Sequence, residues 1–215
     1  MRAVAAAQSA GQTSVFEDTI LRNVDMSGVN LSNLSMDGAT FTGSKFNLAK
    51  LNNMSFQNCE MSNVDFTDAI ADATNFSGSD LRKSTFISTK LSKANFSTCK
   101  LKGAAFTNAT LTSADFRHAD VTNIIFSGSD LRNCNFTGAD LTGSRFVNCN
   151  LDGADFTDAR GADSATSSSS IVIDIGVGPR KMDTISKCTR KGNPNYTPKV
   201  IVNRLGKKQT VYVRK

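Results

Sequence analysis

"FSGSDLRKSTFISTKLSKANFSTCKLKGAAF", residues 76–106, sets a large apolar side chain at every fifth position: Phe76, Leu81, Phe86, Leu91, Phe96, Leu101 and Phe106. An amphipathic helix repeats near 3.6 residues and a half-buried strand repeats every 2, so a period of five fits neither. The phase holds far beyond this stretch. From Phe16 to Phe156 the same column contains Phe, Leu and Met with one Val (Val121) and one Ala (Ala71), and no polar residue. All 14 Phe of the chain fall on it. A preassigned phase has a chance of about one fifth per residue, which puts the coincidence below about one in a billion. The Ser-, Thr-, Asn- and Asp-rich composition that could signal disorder is therefore repeat-encoded instead.

A second column lies two residues earlier, from Ser14 to Ala154. It holds Ala, Ser, Thr, Cys and Val, with larger side chains only at Leu34, Met54 and Ile124. No charged residue between 14 and 161 enters either column. Two side chains in five point inward, one large and one small, and the other three face out.

Units such as "ADFRH", "SDLRN", "CNFTG", "ADLTG" and "ADFTD" resemble the pentapeptide-repeat family, whose pattern is Ala-(Asp/Asn)-(Leu/Phe)-x-x. Self-similarity at a short fixed period is the mark of a solenoid, in which each unit buries its face on its neighbours. The resemblance covers residues 14–160 and implies an all-β fold: a right-handed quadrilateral parallel β-helix, four pentapeptides to a coil of 20 residues. Twenty-nine units then make about seven coils, a rod about 35 Å long at the strand spacing of about 4.8 Å. Residues 20 apart stack, so Phe lines two opposed walls (Phe56, Phe76, Phe96 and Phe46, Phe66, Phe86) and Leu mainly lines the two between.

The expected organisation is an N-terminal cap over 1–13, the β-helix over 14–161, a Ser-rich linker over 162–170 and a basic C-terminal arm over 171–215. In the arm, "IVIDIGV", "KVIVNRL" and "QTVYVRK" read as strands, the last two as a hairpin. The beginning, "MRAVAAAQSAG", lacks the apolar region of a secretory signal, and a transit-peptide remnant stays open. No run reaches the length of a membrane-spanning helix.

The formal net charge of +6 is unevenly spread. Residues 12–161 carry 13 Lys and Arg against 16 Asp and Glu, a balance of −3, whereas 162–215 carry 11 against 3, a balance of +8. Two basic groups are candidate docking sites. One is the band Arg82, Lys83, Lys90, Lys93, Lys100 and Lys102, six cations within about one coil. The other is the arm, with Arg180, Lys181, Lys187, Arg190, Lys191, Arg204, Lys207, Lys208 and Arg214. Both suit acidic protein surfaces, and the arm also suits nucleic acid.

Catalytic signals are weak. Cys59, Cys99, Cys134 and Cys149 sit in the small inward column as replacements for Ala and read as inert core thiols. No Cys/His spacing points to zinc, and Cys188 stands alone in the arm. His118 is outward, and the many Asp before Leu or Phe read as acceptors for turn amides. Glycosylation triplets such as Asn75-Phe76-Ser77 are by-products of the repeat, and "GVG" at 176–178 precedes Pro179 without a helix.

The function expected is non-catalytic, with no cofactor: a stiff rod with a basic arm, a structural or interaction component of a larger assembly. A virion fits, the protein then being a minor capsid protein of a large DNA virus, because "GKKQTVYVRK" is similar to the endings of such proteins; the cytoplasm or an organelle fits too. Two alternatives stay open. Members of the family that resemble double-stranded DNA bind topoisomerases, which implies an acidic surface, and a basic arm suits a ribonucleoprotein component.

Overall fold

The computed structural model describes residues 16–161, 172–174, 196–202 and 208–214. Residues 16–161 form one parallel β-helix, with each outward residue that precedes a Phe or Leu bridged to its counterpart 20 residues on. One column of bridges runs Ile20↔Thr40, Thr40↔Glu60, Glu60↔Asp80 and so to Asp140↔Arg160. Three further columns, offset by five residues, make the other walls. We number the walls by their first inward residue: Phe16 for the first, Leu21 for the second, Met26 for the third and Leu31 for the fourth.

In the unit around Phe96 every backbone amide has an identifiable partner, which explains the residue types there. In the unit around Phe96, Asn95 N–H donates back to Thr74 C=O at 2.9 Å, and Phe96 N–H donates forward to Asp115 C=O at 2.7 Å. Thr98 N–H donates to Arg117 C=O at 2.9 Å, and Cys99 N–H closes the corner on Phe96 C=O at 3.2 Å. The remaining amide, Ser97 N–H, is taken by Asn95 Oδ1 at 2.9 Å. The same side-chain bond recurs from Ser77 to Asn75, Thr67 to Asp65 and Arg132 to Asp130. Asp before the large residue is thus the turn-amide acceptor that the sequence pattern implied, and Asn serves in the same way.

The corner requires a left-handed residue two positions after the large one. Every such position from Asp18 to Asp158 has positive φ. Gly, Asn or Asp fills 21 of these 29 positions, the residue types for which this conformation costs least. Gly is required where the side chain one coil earlier leans over the site. At Gly78 (φ +74°) an added Cβ would lie 2.3 Å from Asn58 Oδ1.

Inside, the rings form two ladders. Phe56, Phe76, Phe96, Phe116, Phe136 and Phe156 stack with centroids 4.8–5.6 Å apart. Phe46, Phe66, Phe86, Phe106, Phe126 and Phe146 stack at 4.7–5.4 Å. The ladders meet edge-on, as Phe86 meets Phe96 at 5.7 Å and 87°, the arrangement that ring quadrupoles prefer. Phe41 alone stands in a Leu wall, edge-on to Phe46 and Phe56.

The third wall differs at its C-terminal end. Thr85, Ala105, Ile125 and Arg145 replace the Asp or Asn acceptor there, and the backbone extends into three-residue strands: β1 (Ala105–Thr107), β2 (Ile125–Ser127) and β3 (Arg145–Val147). β4 (Val172–Asp174) pairs in parallel with β3, Phe146 opposite Ile173, and so continues this wall. β5 (Tyr196–Val202) and β6 (Lys208–Arg214) pair antiparallel, Val200 opposite Thr210. No helix occurs among the described residues. The expected cap at 1–13 and linker at 162–170 lie outside them.

Candidate docking surfaces

The small inward column does more than admit the backbone. Its buried hydroxyls and thiols tie each coil to the one before. Ser79 Oγ donates to Phe56 C=O at 2.6 Å and accepts from Cys59 N–H at 2.8 Å, inserting into that corner's hydrogen bond. Ser84, Ser129 and Ser44 do the same to the corners at Met61, Phe106 and Leu21. Thr74 and Thr89 donate to the same kind of carbonyl, on Leu51 and Phe66, without opening the corner.

The thiols occupy this slot too. Cys99 Sγ donates to Phe76 C=O at 2.8 Å and Cys134 Sγ to Leu111 C=O at 2.9 Å. All four cysteines of the described residues are free and buried. Burial pushes Cys59 and Cys99 up to about 12 and raises Cys134 as well. A thiol held protonated in this way is a poor nucleophile and metal ligand. Among the described residues no group of three or more His, Cys, Asp and Glu is placed to hold a metal ion.

The basic band is divided by the fold. Arg82, Lys83, Lys100 and Lys102 share the second wall, where Asp80 and Asp120 flank Lys100 in its column. Lys90 and Lys93, half a coil away in sequence, lie on the fourth wall, in the column Ile70, Lys90, Thr110. Six cations close in sequence therefore make a group of four and a group of two on opposite sides. Arg82 is moreover engaged: its Nε donates to Asp80 Oδ1 at 2.8 Å and its Nη2 reaches Asp80 Oδ2. Arg117 on Asp115 and Arg132 on Asp130 repeat that fork.

These forks hold the carboxylates ionised. The Arg82 side chain lowers Asp80 and the Arg132 side chain lowers Asp130, against partial burial. For Asp115, burial alone would raise the value, and the bonds from Arg117 outweigh it. His118 is exposed in its left-handed corner, its ring over Gly138. In the arm, Lys208 and Arg214 are the first and last residues of β6. Arg180, Lys181, Lys187, Arg190, Lys191, Arg204 and Lys207 lie outside the described residues, as does Cys188.

One surface was invisible in the sequence. On the third wall, the outward residues of three successive coils are Thr85, Ile87, Ser88, then Ala105, Thr107, Asn108, then Ile125, Ser127, Gly128, with no charge among them. Ile87 is 38% exposed and Ile125 49%. Leu48, two coils before Ser88 in the same wall, holds φ +59° and is 64% exposed.

Comparison with known proteins accords with this architecture. The chain matches the pentapeptide repeat region over residues 11–86 and 70–136, and pentapeptide repeats in eight copies over 126–158. No curated protein matches it. Among solved structures, two trypsin-treated forms of QnrB1, a plasmid-mediated fluoroquinolone resistance protein, are similar in fold. One has a TM-score of 0.60 at 16% identity, covering 78% of this chain and 94% of that one. The other has a TM-score of 0.52 at 16% identity, covering 78% and 95%. HetL, a pentapeptide repeat protein involved in heterocyst differentiation regulation from the cyanobacterium Nostoc, aligns with a TM-score of 0.30 at 16% identity over 80% and 98%. With an unbroken five-residue register, the fourfold coil and family matches that together run from residue 11 to 158, the chain belongs to the pentapeptide-repeat family.

Proposed function

We propose that the protein is a non-catalytic interaction component of a larger assembly, a rigid rod whose walls dock other proteins and whose basic C-terminal segment helps to place it. The observation that carries this reading is the use made of the reactive side chains. Asp and Asn are engaged as acceptors of turn amides, three Arg close on neighbouring Asp, and buried Cys and Ser bond backbone carbonyls of the previous coil. What the rod offers a partner is flat wall, patterned at about 4.8 Å along its axis. A virion is one assembly of this kind and a cellular complex is another.

The DNA-mimic alternative calls for a continuous acidic surface, and the body carries a balance of only −3, with Arg82, Lys83, Lys100 and Lys102 grouped on the second wall. The test compares the full chain with one ending at residue 190, which keeps β4 on the rod and removes β5 and β6. Both should fold, and the shortened chain should enter the native complex poorly in a pull-down from the source cells. Equal incorporation of the two would refute the role given to the arm.

A further inference from the structure

We propose that the third wall is a two-fold interface between two copies of this chain, with the rods antiparallel. This rests on reading the rod's walls as docking surfaces and names the partner of one of them.

One column of outward residues on this wall runs Lys45, Asp65, Thr85, Ala105, Ile125 and Arg145, successive members of which are bridged in register. The smallest, Ala105, lies midway between Asp65 and Arg145, each two coils away or about 10 Å along the rod. A two-fold axis that runs along β1 through Ala105 turns the wall onto itself. It lays Asp65 on Arg145 of the second copy and Arg145 on Asp65 of the second copy. Thr85 meets Ile125, and in the neighbouring column, centred on Thr107, Ile87 meets Ser127 and Thr67 meets Val147. In the third column, centred on Asn108, Asp68 meets Asn148. No like charges are opposed, and the exposed Ile87 and Ile125 of both copies are covered.

Self-complementarity of this kind is what an isologous interface requires. The fourth wall fails the same test, since the matching axis through Lys90 lays that cation on itself. The partners of the two charges also differ. Asp65 is held by Asn47 Nδ2 at 2.8 Å and by the Thr67 amide at 2.9 Å, whereas Arg145 has no ion pair among the described residues. A carboxylate fixed in place thus faces, across the axis, a guanidinium that has no ion pair among the described residues.

The test uses full-length protein in sedimentation equilibrium between about 1 and 100 μM, the weak end of the affinities that protein interfaces show. The wild type should form dimers. Arg145→Glu and Asp65→Lys should each raise the dimer Kd by about tenfold or more, because each brings like charges together twice. An equimolar mixture of the two should recover dimer, as the reversed charges then face opposite ones. Asp65→Lys also removes the acceptor of the Thr67 amide, so Ala105→Arg, which touches no such bond, is the second variant and should abolish dimer with the circular dichroism unchanged.

A wild type that stays monomeric throughout overturns the inference, as do dimers indifferent to Arg145→Glu and Ala105→Arg, or a mixture without recovery. A monomeric rod that still enters its native complex would overturn this inference alone. A dimer whose shortened form enters the complex as well as the full chain would leave the inference standing and refute the arm.

Discussion

Replacing Phe96 by Ala removes a ring from the centre of both kinds of aromatic contact. Phe96 is fully buried, stacked on Phe76 at 5.1 Å and 8° and on Phe116 at 5.0 Å and 9°. It is edge-on to Phe86 at 5.7 Å and to Phe106 at 5.8 Å. Truncation of a buried Phe costs about 3–5 kcal/mol in transfer and cavity terms. Collapse is the usual relief, and it is blocked here: the coils above and below are pinned by Asn95 N–H on Thr74 C=O and Phe96 N–H on Asp115 C=O. The four lost ring pairs, each worth about 0.5–1.5 kcal/mol beyond area, push the cost to the top of that range. The expectation is a loss of about 5 kcal/mol in urea unfolding followed by circular dichroism, the chain having no Trp. Phe16→Ala, at a half-buried position on the edge of the described rod, should cost about 1–2 kcal/mol, in line with partial burial. Phe96→Leu should cost little more than about 1.5 kcal/mol, since Leu already stacks at this spacing in the neighbouring walls. A loss below about 2 kcal/mol for Phe96→Ala, or one equal to that of Phe16→Ala, would refute the argument.

Other expectations follow from the same structure. Ser79→Ala should cost about 1–2 kcal/mol, because Cys59 N–H and Phe56 C=O lose their bridge and must re-form a direct corner bond; thermal melts that overlay the wild type would contradict this. Gly78→Ala should destabilise more than Gly103→Ala in the same melts. Both bear the left-handed penalty of about 1–2 kcal/mol, but only Gly78 has a side-chain oxygen at 2.3 Å, the nearest atom at Gly103 being Lys83 Cγ at 3.7 Å. In native protein at pH 8 a disulfide reagent should leave Cys59, Cys99, Cys134 and Cys149 unmodified, and all should react after denaturation; quick labelling of any of the four would mean that its column faces outward. The lowered Asp80, Asp115 and Asp130 stabilise the fold above the ordinary carboxylate value of 3.8, and this contribution is lost as pH falls below it. Arg117→Gln and Arg132→Gln together should therefore shift the acid transition to higher pH, and an unchanged transition would show that the forks contribute nothing.

The core was legible in the sequence because both inward columns exclude charge and one collects every Phe. The Asp acceptors before the large residue could be read for the same reason, whereas Asp37, Asn52 and Asp72, which follow it and take the amide one coil on, could not. Lateral grouping was harder. Residues 82–102 span a whole turn of the square, so nearness in sequence put Arg82 and Lys90 together where the fold sets them on different walls. The third wall escaped notice because Thr85, Ala105 and Ile125 are 20 residues apart, and each alone is an ordinary surface residue. A signal was available for the left-handed column, where Gly, Asn and Asp fill 21 of the 29 positions. The inserted hydroxyls of Ser79 and Ser129 left none, because Ala, Ser and Cys alternate in that column without pattern and only the corner 20 residues back shows what each does.

The coil itself is tested most directly by distances between outward positions of one column. Gln57 and Thr137 are four coils apart in the first wall, and spin labels placed there in a Cys188→Ser background leave the buried thiols untouched. Pulsed dipolar spectroscopy should find a backbone separation of about 19 Å, against about 10 Å for Gln57 and Ser97, so that distance grows by about 4.8 Å for each 20 residues. A separation for Gln57 and Thr137 beyond about 30 Å, or one that does not double that of the nearer pair, would contradict a square coil with this rise.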